Sequence, residues 1–446
     1  MAALLPRLAK GSPAEQLAAL ESLSTVEPTA LPPGTPDPAA AVRPFLEAAD
    51  PVMAAKAGDL LAHWGDRAAT PGLIQLLGAA EPLIRLSAAT SLAALADPAA
   101  ANALAGATTD LDANVRAEAC VALGTIEQPG AAAALRARLV DTDGAVRAAA
   151  ADALGKLRRD RDVPRLLSLL RDPQPGVVSA AARGLGRMGD QRAVAPLIAL
   201  LKDVRPPIRY AAASALGQLG DRAAVGPLTR MLADDDLAQR VAVLNALRSL
   251  GDAAAIPAVL DVAADGNPLL AKRIPFVLAG LYDPERHAAF AARFQDANGN
   301  VRGAVALALG VVGDARALPL LKQALVDPVP SVRKDTVQAL SFVCRADCTR
   351  LLRPVAEHDP DPEVREAAGI GLALAQGVAA PGVLRRLVGG LSHPEIPVRS
   401  YAAEGLGLLG ASRALEPLRK AAYTDSDPKV RLKAQVAVLR LTNPNI

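Results

Sequence analysis

The chain has 446 residues, of which 51% are hydrophobic and only 2% aromatic; it is too long for one compact core and too poor in rings for a large aromatic-filled one. Its 49 Lys+Arg against 46 Asp+Glu leave a formal net charge of +3, which excludes a global pull toward nucleic acid. Three cysteines exclude a disulfide framework for a chain of this size.

At the N-terminus, Pro6, Arg7 and Lys10 interrupt the apolar residues, so the segment does not read as a secretory signal. Glu15 to Leu23 reads as a degenerate helical unit. Residues 24 to 40, with Pro28, Pro32, Pro33, Gly34, Pro36 and Pro38, read as a loop. The expected organisation is therefore a degenerate repeat and proline-rich loop over 1–40, followed by a regular array over 41–446.

The array announces itself by period. Leucines 61, 92, 123, 154, 185, 216, 247, 278, 309 and 340 are each 31 residues apart, and Leu372, Leu406 and Val438 continue the series at steps of 32, 34 and 32. Each unit predicts two helices. Eleven residues before the leucine stands a helix-starting residue, such as Asp50, Asp112, Asp143, Asn298 or Asp427, with Glu81 and Glu395 at the same position. Pro51, Pro82, Pro268, Pro362 and Pro428 follow such residues, where a missing N–H costs nothing. Glycine and aspartate after the leucine end this second helix and start the first helix of the next unit. At 100° per residue, the leucine, the alanines three and four before it and the branched residue eight before it share one face. A single hairpin cannot cover both its sides, so units must stack. The fold class is all-α: an α-solenoid of about 13–14 two-helix repeats.

Seven residues before the leucine an arginine points the same way as the core: Arg85, Arg116, Arg147, Arg209, Arg240, Arg302, Arg333, Arg365, Arg399 and Arg431. An inward arginine must be paired, so the row reads as a structural ladder to the cap aspartates of its own or the adjacent unit, in preference to an anion-binding row.

The pattern Asp-Pro-x-Val-Arg-x-x-Ala-Ala-x-Ala-Leu-Gly-x-Leu-Gly-Asp-x-Arg-Ala-x-x-Pro-Leu resembles the short bacterial HEAT-like repeat named after phycobilisome lyases. The best copies run over Gly176–Leu232 and Asn298–Leu325. The family contains chromophore lyases, repair glycosylases, deoxyhypusine hydroxylase and many scaffolds, so the resemblance implies the fold and leaves function open. His63, His287, His358 and His393 are the four histidines and none precedes a glutamate, which argues against the hydroxylase. Trp64 is the single tryptophan, a poor basis for a base-flipping glycosylase. Cys344 and Cys348, with only His358 near, fall short of a zinc site and read as core residues, as does Cys120. No nucleophile–base constellation or phosphate loop is found, so the expectation is a non-enzymatic scaffold with no cofactor and no metal.

The resemblance implies that the second helices line the concave face. Its solvent-facing positions lie six and two before the leucine and two after it. In the middle of the array they are polar or basic, with Lys156, Arg183, Arg187, Tyr210 and Gln218 as a candidate patch for an anionic partner, diluted by Asp152. Later they turn apolar: Phe276, Leu307, Val311, Phe342, Ile370, Leu374 and Leu408, a candidate groove for a protein or peptide partner. Self-association through this strip is a further reading. Pro275, three before Leu278, should kink its helix where the surface changes character. The least polar stretch, Ala367 to Leu384, holds Gln376 and Pro381 and keeps the repeat register, so no membrane span is expected. The expected protein is a cytoplasmic, protein-binding scaffold. A lyase or chaperone for a protein-bound chromophore, and phosphate or nucleic-acid binding through the central arginines, are the alternatives.

Overall fold

The computed structural model describes residues 4–25, 37–343, 348–376, 383–393, 396–410 and 412–443. Among them the chain forms α-helices, short 3-10 turns and connecting loops, with no strand. The backbone divides into two compact units, one containing the chain up to Met231 with Asp236–Ala246, the other Leu232–Asp235 and the chain from Leu247 onward. The division falls within the helix Leu237–Leu250. Each second helix is named below by the leucine that anchors it.

In the first unit the second helices are Pro51–His63, Pro82–Leu95, Ala113–Ile126, Gly144–Leu157, Pro175–Met188 and Pro206–Leu219, anchored by Leu61, Leu92, Leu123, Leu154, Leu185 and Leu216. All six leucines are fully buried. So are Leu73, Leu104, Leu135, Leu166, Leu197 and Leu228 of the first helices, which repeat at the same spacing. Burying one such side chain contributes about 1.5–3 kcal/mol, so the stack is held by many equal increments and not by one large core. The branched residues eight before the anchor, Ile84, Val115, Val146 and Ile208, complete the buried face as expected.

The caps act as the sequence suggests at most positions. Asp112 accepts from the N–H groups of Asn114 and Val115, and Asp143 from those of Ala145 and Val146. Glu81 makes no side-chain cap bond; its extra methylene carries the carboxylate past the N–H groups. Glu395 lies outside the described residues. After four of the six second helices, Asp66, Asp97, Asp190 and Asp221 cap a 3-10 turn that leads straight into the next first helix.

The expected loop over 24–40 needs correction. Residues 26–36 lie outside the described residues, but Pro38–Val42 is already helical. Asp37 accepts from Ala39 N–H and Pro38 takes the first helical turn, so the helix begins where a cap meets a proline. Ahead of it, Pro13–Leu23 starts at a reciprocal Ser12–Glu15 cap and packs on the Leu61 helix, covering that end of the core.

In the second unit the anchoring helices are Gly299–Val312, Pro330–Val343, Pro362–Gln376, Ile396–Leu408 and Pro428–Thr442, each packed on the next. The Leu278 segment is broken in two: Pro268–Ala271 and Ile274–Gly280 are separate helices. Pro275 has no N–H to give the Ala271 carbonyl and its ring would strike that oxygen. The expected kink is therefore a full interruption, after which Phe276 and Val277 both donate to the Arg273 carbonyl. Among the described residues no helix is long and apolar enough to cross a membrane.

Candidate partner-binding faces

The ladder arginines have one recurring geometry. Arg147 Nε and Nη2 donate to the two carboxylate oxygens of Asp172 at 2.8 and 3.0 Å, and Nη1 donates to the carbonyls of Asp141 and Thr142. Arg85 grips Asp110, Arg116 grips Asp141 and Arg302 grips Asp327 in the same way. Arg333 pairs with Asp359 and Arg399 with Asp425. Arg209 departs from the rule, with Nε on Gln239 Oε1 at 2.6 Å. Arg365 and Arg431 donate Nη1 to carbonyls of their own turns, and Arg240 is also partnered. The accepting aspartate belongs to the following repeat, and it stands two residues before the cap, where a cap residue was expected. The cap carboxylates already hold the N–H groups of their own helices. The acceptor in turn receives the cap residue's N–H, as Asp110 does from Asp112 at 2.8 Å. A fork that binds a carboxylate twice and two carbonyls has one N–H donor in five left over, so the arginines held in this way have little to offer an outside anion.

The basic patch gathers around one acid. Asp152 on the Leu154 helix has Arg187 Nη1 at 2.8 Å, Arg183 Nε at 3.6 Å and Lys156 Nζ at 3.9 Å. Arg183 makes no hydrogen bond among the described residues, and nearly half of its side chain, 47%, is exposed. Two of the five patch residues fall away from this centre. The Tyr210 hydroxyl donates to Asp236 of the next repeat. Gln218 is exposed, its amide lying across Gly186.

The apolar positions differ in access. Phe276, Phe342 and Leu408 are each about half exposed, at 51%, 54% and 51%, whereas Leu307, Val311 and Ile370 are partly buried. The Leu374 side chain lies outside the described residues. On the Val438 helix, Leu432, Val436 and Leu439 are also exposed; the first two occupy the positions six and two before Val438, so the rule that selected the strip reaches them too.

One residue was missed. Asp335 faces the neighbouring helix five residues before Leu340, with its carboxylate pressed on Gly303. Where two other units carry a polar residue at this inter-helix position it finds a partner: Ser87 donates to Asp59 at 2.7 Å, and Lys433 to Glu404 at 2.8 Å. Here the register offers Leu307 and a glycine. Asp335 makes no hydrogen bond among the described residues, and burial pushes its carboxyl up to about 6. Reading these positions as pairs across units would have found it.

Among the described residues no group of three His, Cys, Asp or Glu could hold a metal ion. Cys348 is buried and disulfide-bonded, so it offers no thiolate; Cys344 lies outside the described residues. Cys120 is fully buried, and burial pushes its thiol up to about 12.

The family model for HEAT repeats matches eight overlapping stretches: 39–111, 105–183, 141–216, 163–248, 195–274, 256–341, 287–373 and 349–439. The chain belongs to the HEAT-repeat family. Among solved structures it is similar to importin β, at 13% identity over 99% of this chain and 79% of that one, with a TM-score of 0.51. It is also similar to the karyopherin Kap121p bound to the SUMO protease Ulp1p, at 12% identity over 100% and 62%, with a TM-score of 0.51. Such identities show the HEAT fold alone. The CpcE–CpcF complex of phycocyanin lyase from Nostoc sp. PCC7120 matches at 26% identity over 48% of this chain and 86% of that one, with a TM-score of 0.37. Among curated proteins none matches the chain.

Proposed function

We propose that this HEAT-repeat chain is a non-enzymatic cytoplasmic scaffold that takes segments of partner proteins on the exposed faces of its second helices. The observation that carries this reading is the half-exposure of Phe276, Phe342 and Leu408 on helices of one compact unit. Large apolar side chains left open on stacked helices suit an amphipathic helix laid along them. Their neighbours Leu307, Val311 and Ile370 are partly buried and supply a floor.

The test is affinity capture with the whole chain and with Phe276→Asp combined with Phe342→Asp. Both side chains are half in solvent, so the variant should keep its helical circular dichroism while losing the proteins retained by wild type. Recovery of the same proteins by both baits would end the proposal. If a second copy of the chain occupies the strip, sedimentation will show a dimer that the double variant dissociates.

A further inference from the structure

We propose that Lys156, Arg183 and Arg187 form a receptor for the carboxylates of an acidic segment in a partner protein, and that Asp152 is a built-in competitor holding its affinity down. The proposal rests on the second-helix faces being partner surfaces, and it names the chemistry of a partner on the first unit.

Three cations share one carboxylate, leaving an excess of two positive charges over two adjacent helices. Most ladder arginines close both prongs of their fork on an aspartate, as Arg147 does on Asp172; these three cations share a single acid. Arg187 is hydrogen-bonded to Asp152, whereas Lys156 and Arg183 only approach it, at 3.9 and 3.6 Å. The Arg183 fork is thus free to bind a carboxylate through two parallel N–H groups. The structure already seats one carboxylate among these cations, which shows that the group fits them.

The flanks decide the class of partner. On the helix before, the corresponding positions are Val121 and Thr125; on the helix after, they are Ser214 and Gln218. The positive charge is therefore an island two helices wide. A nucleic-acid backbone needs a stripe of cations along its length and gains from open aromatic rings. The nearest ring, Tyr210, is tied to Asp236. One or two acidic side chains match the island.

Asp152 would lie beside the incoming carboxylate and repel it while engaging Arg187. Replacing it by asparagine removes the repulsion and frees Arg187.

The probe is a fluorescein-labelled hexaglutamate peptide, titrated with the full chain by anisotropy at low and at physiological salt. Wild type should bind, more weakly as salt rises. Asp152→Asn should bind about two- to fivefold more tightly, the scale of one exposed like-charge contact. Arg183→Gln should bind about tenfold more weakly. Glu21→Gln, which makes the same charge change at an exposed residue of the same unit, should match wild type. Lys156 makes no hydrogen bond, so Lys156→Gln carries the test if Arg183→Gln does not fold, and should weaken binding about threefold.

Equal or weaker binding by Asp152→Asn overturns the proposal, as does indifference to Arg183→Gln. Tighter binding of a labelled oligothymidine, with the same dependence on these variants, overturns the peptide assignment in favour of phosphate. The Phe276→Asp, Phe342→Asp double variant should bind hexaglutamate as wild type does, so failure here and failure of the apolar-strip reading are told apart.

Discussion

Arg147 and Asp335 are two partly buried charges with opposite fates. The Arg147 fork joins a carboxylate of the next repeat to two carbonyls of its own turn, and lysine cannot reproduce that planar geometry. Arg147→Lys should therefore lower stability by about 1–2 kcal/mol in urea unfolding. The acids of the ladder are held low. Arg85 beside Asp110, and Arg399 beside Asp425, keep those carboxyls below the usual carboxylate range against the opposing effect of burial. A depressed carboxyl stabilises above its unfolded value, about 3.9, and the benefit disappears as pH falls below it. Acid unfolding should thus begin near pH 4, and the onset should be shallower in Arg85→Gln with Arg399→Gln. Asp335 has the reverse sign. Its carboxyl is raised to about 6, so the folded chain binds a proton that the unfolded chain releases. Its charge destabilises above that value, and the cost is relieved as pH falls from about 6 toward 4. Asp335→Asn should raise the melting temperature at neutral pH by roughly 2–4 °C and flatten its rise on mild acidification.

At the scale of helices, neighbouring second helices touch through small residues. A methyl group on Gly124 would lie 2.8 Å from Ala153 Cα, and one on Gly186 equally close to Ala215 Cα. At Gly155 and Gly184 both partners are glycine, and a methyl group on Gly155 would overlap Gly184 Cα. Gly155→Ala should push the Leu154 and Leu185 helices apart and cost about 1–3 kcal/mol, measured by thermal unfolding. Pro275 shows the other way a single residue shapes an element. The sequence places a proline inside a helix; that the helix would stop and restart depends on where Arg273 and the following N–H groups find acceptors. It leaves Phe276 in the first turn of a new helix, half exposed.

For the whole molecule, stability is a sum of similar units and their contacts with nearest neighbours. A defect should therefore stay local. In hydrogen exchange, Arg147→Lys should speed the amides of the Leu154 and Leu185 helices and leave those of the Leu340 and Leu372 helices unchanged, because the two pairs belong to different compact units. The same locality lets the cations of the first unit and the open phenylalanines of the second be tested independently.

The sequence by itself determined the repeat, the two helices of each unit, most caps, the buried leucine of most units, and the inward arginines. These follow from a period of 31 residues and from angles around one helix, both of which are local. Only the tertiary structure decided what each side chain meets across the next helix. It put the arginine on the aspartate two before the cap, gathered three cations on Asp152, left Asp335 against Gly303, and divided the apolar strip into open and partly buried members. Those outcomes depend on the offset between neighbouring helices, a distance in space that no count along the chain contains.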